Sequence, residues 1–171
     1  MKYALVTGGS RGIGRAICLQ LAQDGLVVLV NYLSNSEAAQ ETLKMIEEKG
    51  GKGELLPFDV SSPEAINKAL DEWSGNHQDE YISVLVNNAG IRSDNLLVFM
   101  EDEQWNKVLN TSLNGFFYTT RHLLKNMITH RYGKIVNIAS LSGIKGLPGQ
   151  TNYSAAKAAL LGATNSLPQA L

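Results

Sequence analysis

The chain has 171 residues, 44% of them hydrophobic, and its 15 Lys and Arg nearly balance its 16 Asp and Glu. This length and composition predict one α/β domain, residues 1–171, with a substantial core. The balanced charge without a Lys/Arg-rich run argues against a nucleic-acid partner, and no apolar stretch is long enough to span a bilayer.

Apolar runs of strand length alternate with longer stretches of helical period, which predicts βαβ units and a parallel sheet. Several of these runs are apolar on both faces, as strands covered by helices on both sides should be. The predicted strands are residues 2–7, 26–32, 52–59, 81–87 and 133–140, and the predicted helices are residues 12–24, 36–49, 63–74, 102–129 and one beginning near Asn152.

Local signals mark the ends of these helices. Residues 34–37 and 61–64 predict capping boxes that begin at Ser34 and Ser61, in which a hydroxyl and a carboxylate bond the free amides of the first turn. Gly25 and the pair at residues 50–51 predict helix ends.

Cys18 is the only cysteine, so it cannot form a disulfide within the chain. It lies between two apolar residues of the first predicted helix, where a buried thiol is expected. The N-terminus lacks the longer apolar region and cleavage site of a signal peptide. These features together predict a reducing, cytoplasmic setting.

A glycine-rich segment, TGGSRGIG at residues 7–14, follows the first strand and opens the first helix. The exposed amides and the dipole at a helix N-terminus favour binding of a pyrophosphate. Gly8, Gly12 and Gly14 permit a tight turn and a close approach of the backbone to such a ligand. The spacing differs from the G-x-G-x-x-G fingerprint. By itself, the segment is also explained as an ordinary turn from strand to helix.

The residues after the second strand bear on the choice of dinucleotide. The segment VNYLSN at residues 30–35 lacks the acid that binds the ribose 2′-hydroxyl of NAD. Arg11 in the glycine-rich segment could pair with a 2′-phosphate. This pattern favours NADP(H), although Arg11 could also be an ordinary surface charge.

Further polar residues fall where strands end. Residues 87–90, NNAG, end the fourth strand at the carboxyl edge, where open α/β sheets bind ligands. Tyr153 and Lys157 share a helix face because they are four residues apart, and an ammonium there favours the phenolate form of the tyrosine. Ser140 ends the fifth strand at the same edge, where its hydroxyl could bond a substrate oxygen. Each signal alone has an ordinary structural explanation.

Taken together, these motifs resemble the short-chain dehydrogenase/reductase family in order and spacing, over the N-terminal portion of that family. The resemblance implies a Rossmann-type, doubly wound parallel sheet that binds a dinucleotide. The resemblance implies that Tyr153 is the proton donor, that Ser140 stabilises the carbonyl, and that Lys157 activates Tyr153 and binds the ribose. It places Asp59 at the adenine, although the sequence explains Asp59 equally well as a turn residue before Ser61. The implied cofactor contacts are Gly8, Ser10, Arg11, Gly12, Ile13, Gly14, Asp59, Val60, Asn87, Ala89, Gly90, Tyr153 and Lys157, and no residue is assigned to a metal.

Within the family, residues 88–97 and 149–158 read like 3-oxoacyl-[acyl-carrier-protein] reductases. This implies NADPH-dependent reduction of a 3-oxoacyl thioester, carried on acyl carrier protein or CoA, in fatty acid biosynthesis, by a homo-oligomeric enzyme. Arg131 and Lys134 are implied to dock the acidic carrier, although surface charges are equally ordinary there. The alternatives are a reductase of another ketone or alcohol, and a catalytically weak dinucleotide-binding fragment.

Two features depart from the family pattern. The family's fourth catalytic residue, an Asn whose main-chain carbonyl is thought to hold a water near the lysine, aligns with Ser112, so we expect an impaired proton relay. The sequence also reaches Leu171 before the family's last two strands. A chain ending there would have strand order 3-2-1-4-5 with an exposed apolar fifth strand, and Pro168 would weaken its last helix.

Overall fold

A parallel five-stranded sheet forms the centre of the protein. The computed structural model describes residues 2–167. All neighbouring strands are parallel, and their order is β3-β2-β1-β4-β5. The predicted Rossmann-type sheet and its order 3-2-1-4-5 are confirmed. The strands are β1 (Tyr3–Val6), β2 (Val27–Tyr32), β3 (Lys52–Pro57), β4 (Ile82–Asn87) and β5 (Lys134–Asn137).

Helices connect the strands and cover both faces of the sheet. Four of the five predicted helices are present with ends that differ by a residue or two, and the fifth, residues 102–129, is divided into two. They are α1 (Gly12–Gln23), α2 (Ser36–Glu48), α3 (Pro63–Asn76), α4 (Asp102–Leu109), α5 (Gly115–Thr129) and α7 (Thr151–Ser166), and a short α6 (Ser142–Lys145) was not predicted.

Two apolar layers hold the helices to the sheet. Alternate residues of β1 face opposite sides, because successive side chains of a strand alternate. Tyr3 and Leu5 pack with α3 and α5, whereas Ala4 and Val6 pack with α1 and α2. Both faces of the sheet are therefore buried, and only the strand ends remain for polar chemistry.

The predicted capping boxes are one residue too early. Asn35, rather than Ser34, caps α2 by accepting from the Ala38 amide at 2.9 Å. Ser62, rather than Ser61, caps α3 by accepting from the Ala65 amide at 3.2 Å. In each case two adjacent residues can cap a helix, and the spacing to the following glutamate alone does not decide between them.

The predicted single helix over residues 102–129 is interrupted. A π-helical turn, Asn110–Asn114, separates α4 from α5. Such a turn accommodates one extra residue in a helix and is often found at functional sites. Hydrophobic periodicity did not reveal it, because the apolar face continues on both sides of the turn.

The fifth strand lies at one edge of the described sheet. Val136 of β5 is exposed, and β5 pairs only with β4 among the described strands. The proline expected to weaken the last helix, Pro168, lies outside the described residues. Within residues 2–167, none of the helices is long and apolar enough to cross a membrane.

Cys18 is a structural thiol with low expected reactivity. It is fully buried in α1, and burial raises the pKa of its thiol to about 12. At pH 8 we expect a thiol-specific reagent to label the native chain at least about 100-fold more slowly than the denatured chain, because the thiolate is the reacting form. Absorbance of the released thiol reagent measures both rates, and a Cys18→Ser variant gives the background. Equal rates in the two states would contradict this burial.

Candidate functional site

The glycine-rich turn between β1 and α1 has the backbone that the sequence predicted. Gly8 and Gly12 have positive φ angles, 65° and 56°, which L side chains rarely adopt. A Cβ on Gly14 would collide with the Gly8 carbonyl oxygen and lie 2.6 Å from Asn88 Nδ2. No side chain caps α1 at Arg11. The first amides of α1 therefore lie beside open space above Gly12, where a Cβ would meet nothing within 4 Å.

Two residues that the sequence analysis did not single out hold this turn in place. Arg15 donates to the Ser10 carbonyl at 2.8 Å and to Glu41 at 2.7 Å. Asn31, buried in β2, accepts from the Gly8 amide at 3.2 Å. A buried polar residue inside an apolar strand was the available signal for Asn31, since such groups are normally hydrogen-bonded.

Thr7 joins the ends of β1 and β4. Its hydroxyl accepts from the amides of Asn88 and Ala89, both at 3.0 Å. Asn88 returns two bonds from its side chain, to the carbonyls of Thr7 at 2.9 Å and Gly8 at 3.2 Å. The two strand ends are thus fixed to each other, and the glycine-rich turn and the Asn88–Gly90 turn form one surface.

Some predicted cofactor contacts have side chains that are occupied within the protein. Asn87 donates to Thr120 at 3.1 Å and to Asn137 at 2.9 Å, which ties β4 to α5 and β5. Asp59 accepts from the Ser61 amide at 2.8 Å and hydroxyl at 2.7 Å, which is the turn arrangement that the sequence left open.

Three other predicted contacts differ in how exposed their side chains are. Val60 is buried in the core, where a Cβ on Gly115 would meet it at 3.1 Å. Ile13 and Arg11, by contrast, are exposed on the first turn of α1. Any ligand contact of Val60 would therefore come from its backbone, whereas Ile13 and Arg11 could use side chains.

Ser140 follows β5 and is held by the loop after it. Its Oγ accepts from the Ser142 amide at 3.2 Å, and its carbonyl accepts from the Gly143 amide at 3.0 Å. A Cβ on Gly143 would lie 2.8 Å from the Ala158 amide nitrogen. The absence of a side chain there allows α6 to rest directly on the backbone of α7, beside Lys157.

Tyr153 and Lys157 lie on one face of α7, as their spacing predicts. Lys157 Nζ lies 5.7 Å from the centre of the Tyr153 ring and donates to the Ile138 carbonyl at 2.6 Å. The Lys157 side chain is only 3% exposed, and this burial lowers the pKa of its ammonium. A cationic group is thus held beside a half-buried phenol, next to the strand end that carries Ser140.

Ser112 lies in the π-helical turn and approaches the same place. A Cβ on Gly90 would lie 3.3 Å from Ser112 Oγ and 3.6 Å from Lys157 Nζ, so both polar atoms flank the Gly90 backbone. Ser112 is buried, and its hydroxyl has no hydrogen-bond partner among the described residues. The structure therefore places Ser112 and Lys157 against the same Gly90 backbone, with no hydrogen bond between the two side chains.

The buried ammonium of Lys157 gives a prediction about stability and pH. Lys157→Met should raise the free energy of unfolding at pH 7 by on the order of 1 kcal/mol, because functional groups are often retained at a cost in stability. At pH values between the lowered pKa of Lys157 in the folded chain and the usual lysine value of 10.5, the folded chain binds fewer protons than the unfolded chain. Wild-type stability therefore rises with pH through this window, and the gap between the two proteins should shrink.

Urea unfolding followed by circular dichroism at pH 7 and pH 10 measures this gap. Lys44→Met, at an exposed lysine of α2, is the matched control and should show little change with pH. A less stable Lys157→Met variant at pH 7, or a gap that widens with pH, would contradict the assigned cost of burial.

Comparison with known proteins gives a consistent result. A family model described as short chain dehydrogenase matches residues 2–171. The 3-oxoacyl-[acyl-carrier-protein] reductase FabG of Pseudomonas aeruginosa is 44% identical over 171 residues, which cover 97% of this chain and 66% of that protein. The corresponding protein of Staphylococcus epidermidis is 39% identical over 170 residues, with 99% and 69% covered.

A 3-oxoacyl-[acyl-carrier-protein] reductase of Synechocystis sp. is 41% identical over 174 residues, which cover 99% of this chain and 68% of that protein. The chain spans about two thirds of the length of these relatives. The family implies a nicotinamide dinucleotide, and the side-chain-free cradle at Gly8, Gly12 and Gly14 fits one. The match over nearly the whole chain shows that this protein belongs to the short-chain dehydrogenase family of oxidoreductases.

Proposed function

We propose that the protein reduces a 3-oxoacyl thioester, carried on acyl carrier protein or CoA, with NADPH. The observation that carries the proposal is the pairing of a buried ammonium, Lys157, with the phenol of Tyr153 near the end of β5, where Lys157 bonds the Ile138 carbonyl. The relatives at 39% and 44% identity, whose names state this reaction, support the choice of substrate. Fatty acid biosynthesis is the corresponding process.

The geometry assigns a part to each of the three residues. Bound at this edge, the reduced nicotinamide would supply a hydride to the ketone carbon. Tyr153 gives its proton to the ketone oxygen, and the charge of Lys157 favours the phenolate that remains. Because Ser140 Oγ accepts from the Ser142 amide, its own proton is free to bond the same oxygen.

The preference for NADPH is supported by the surroundings of the glycine-rich turn. Arg11 is exposed at the start of α1 and has room to meet a 2′-phosphate. In β2, Asn31 uses its side-chain oxygen on the Gly8 amide and its nitrogen on the carbonyls of Leu56 and Phe58. The Asn31 side chain is therefore committed inside the protein, and residues 30–35 offer no acid for a ribose 2′-hydroxyl.

Docking of an acidic carrier protein at Arg131 and Lys134 belongs to the same proposal. Both side chains are exposed, one in the turn after α5 and one at the start of β5. Arg131 has a φ of 52°, and such a conformation costs an L residue about 1–2 kcal/mol. An arginine at a position that suits glycine supports a role for its charge.

We also propose a cytoplasmic homo-oligomer with one dinucleotide-binding domain over residues 1–171. The single buried cysteine supports a reducing compartment. Phe117 on α5 is 47% exposed and lies 4.8 Å from the Arg121 guanidinium. An exposed aromatic–arginine pair of this kind is typical of interface centres.

A second candidate is a dinucleotide-binding protein with weak turnover. The observation that favours it is the Ser112 hydroxyl, which has no partner within residues 2–167 and flanks the same Gly90 backbone as Lys157, where the family pattern has an Asn. NADPH binding without measurable reduction of any 3-oxoacyl thioester would favour this candidate over the first.

Removal of the proton donor tests the proposed chemistry. With acetoacetyl-CoA as substrate, Tyr153→Phe should lower kcat by about 10²- to 10⁴-fold, because general acid catalysis is lost. The affinity for NADPH, measured by fluorescence titration, should stay within about twofold because only one hydroxyl is missing. Tyr118→Phe on α5 is the control and should retain full activity. Retention of most activity by Tyr153→Phe would remove the central assignment.

The choice of dinucleotide is tested at Arg11. The wild type should bind NADPH more tightly than NADH, and Arg11→Ala should reduce that preference by roughly 10-fold, the scale of one charged hydrogen bond. Lys68→Ala, at an exposed lysine of α3, should leave the preference unchanged. Calorimetry with both dinucleotides measures the ratio. An equal affinity of the wild type for the two would argue for a different specificity.

A further inference from the structure

Gln150 forms a bridge between the two loops that flank Tyr153. Its side-chain oxygen accepts from the Ser142 hydroxyl at 3.1 Å, and its side-chain nitrogen donates to Asp94 Oδ2 at 2.9 Å. Gln150 and Ser142 are both buried, whereas Asp94 is exposed. One end of the carboxamide thus reaches into the loop after β5, and the other reaches the loop after β4.

The chemistry of the two partners fixes the orientation of this carboxamide. The Asp94 carboxylate can only accept, so the NH₂ group must face it, and the Ser142 hydroxyl can then donate to the carbonyl oxygen. The reversed carboxamide would place two oxygens against each other at Asp94. Gln150 therefore accepts from Ser142 and donates to Asp94, and these two roles cannot be exchanged.

This link continues to Ser140. The Ser142 hydroxyl bonds Gln150, and the Ser142 backbone amide donates to Ser140 Oγ at 3.2 Å. Gln150 is also the residue before α7, and its carbonyl accepts from the Ser154 amide at 2.7 Å. It therefore touches both the loop that carries Ser140 and the first turn of the helix that carries Tyr153.

Two other bonds join the same loops close by. The Asn95 amide donates to the Gly149 carbonyl at 2.8 Å, and Asn152 Nδ2 donates to the Ser93 carbonyl at 3.0 Å. Of Asn95, Gln150 and Asn152, only Gln150 also bonds Ser142. The loop after β4 is thus fastened to the start of α7 on either side of Gln150, and Gln150 adds the side-chain bond to Ser142.

We infer that Gln150 is a positioning residue, which uses the Asp94 carboxylate as its anchor to set the Ser140 hydroxyl relative to Tyr153. This inference rests on the proposed function for its catalytic consequence. The bridge itself is independent of the proposed function, because it can be measured in the absence of substrate.

An exchange of donor and acceptor tests the bridge. Gln150→Glu places a carboxylate against Asp94, and like charges at this distance repel. Hydrogen exchange of the Ser142 amide should then become at least about 10-fold faster, because a hydrogen bond to a charged group is lost. When Asp94→Asn is added, the carboxamide introduced at position 94 donates to the carboxylate introduced at position 150. Exchange should return to within about threefold of the wild type.

The matched control is Gln20→Glu, since Gln20 Nε2 also bonds an aspartate, Asp24, at 3.0 Å on the exposed face of α1. It should leave the Ser142 amide unchanged. Asp94→Ala is the second test, because it removes the anchor at an exposed position without adding a charge, and it should also accelerate exchange. Unchanged exchange in Asp94→Ala, or a double variant that is not restored, would overturn the bridge.

Kinetics then tests the catalytic consequence. In Gln150→Glu, kcat for acetoacetyl-CoA should fall by roughly 10- to 100-fold while the Kd for NADPH stays within twofold, and Asp94→Asn should restore kcat. A bridge that only stabilised the fold would lower the unfolding temperature without this separation, and that result would overturn the positioning role. A wild type without turnover would refute the proposed function and leave the exchange test of the bridge intact.

Discussion

The joint between the ends of β1 and β4 is the constraint on which the polar edge of the sheet depends. Thr7 and Asn88 exchange hydrogen bonds across it, and Gly14 fits against them only because it has no side chain. A Cβ at Gly14 would displace Gly8 or Asn88, and with them the turn that holds the start of α1. The surface proposed for a dinucleotide is therefore built from backbone, with short side chains supporting it from beneath.

The opposite half of the site is built on a different principle. There, Lys157 is buried as a charge and directs its ammonium to the Ile138 carbonyl. Burial of an ammonium opposes folding, and the single hydrogen bond offsets only part of this cost. The helix that carries Tyr153 and Lys157 is thus held at a cost in stability, whereas the glycine-rich half is held by satisfied hydrogen bonds. The two halves should differ in their sensitivity to substitution and to pH.

The positions of the strands and helices were predictable because hydrophobic periodicity and glycine placement are local signals. The common face of Tyr153 and Lys157 was predictable for the same reason. The strand order came instead from the resemblance to the family, because it depends on which distant segments pair. The bridge of Gln150 was not, because it depends on Asp94, which is distant in the sequence and adjacent only after folding. The π-helical turn at Ser112 was also missed, since an apolar face that continues through it gives no warning in the periodicity.

A group of apolar side chains takes no part in the hydrogen bonds that hold this edge of the sheet. Residues 96–99, and Leu141, Ile144 and Leu147, are exposed on the two loops whose bases are fastened together near Gly149. Substitutions of these side chains would leave in place the bonds that hold Ser140 and Lys157. Under the proposed function, this separation would let the range of accepted substrates change while Ser140, Tyr153 and Lys157 stay fixed.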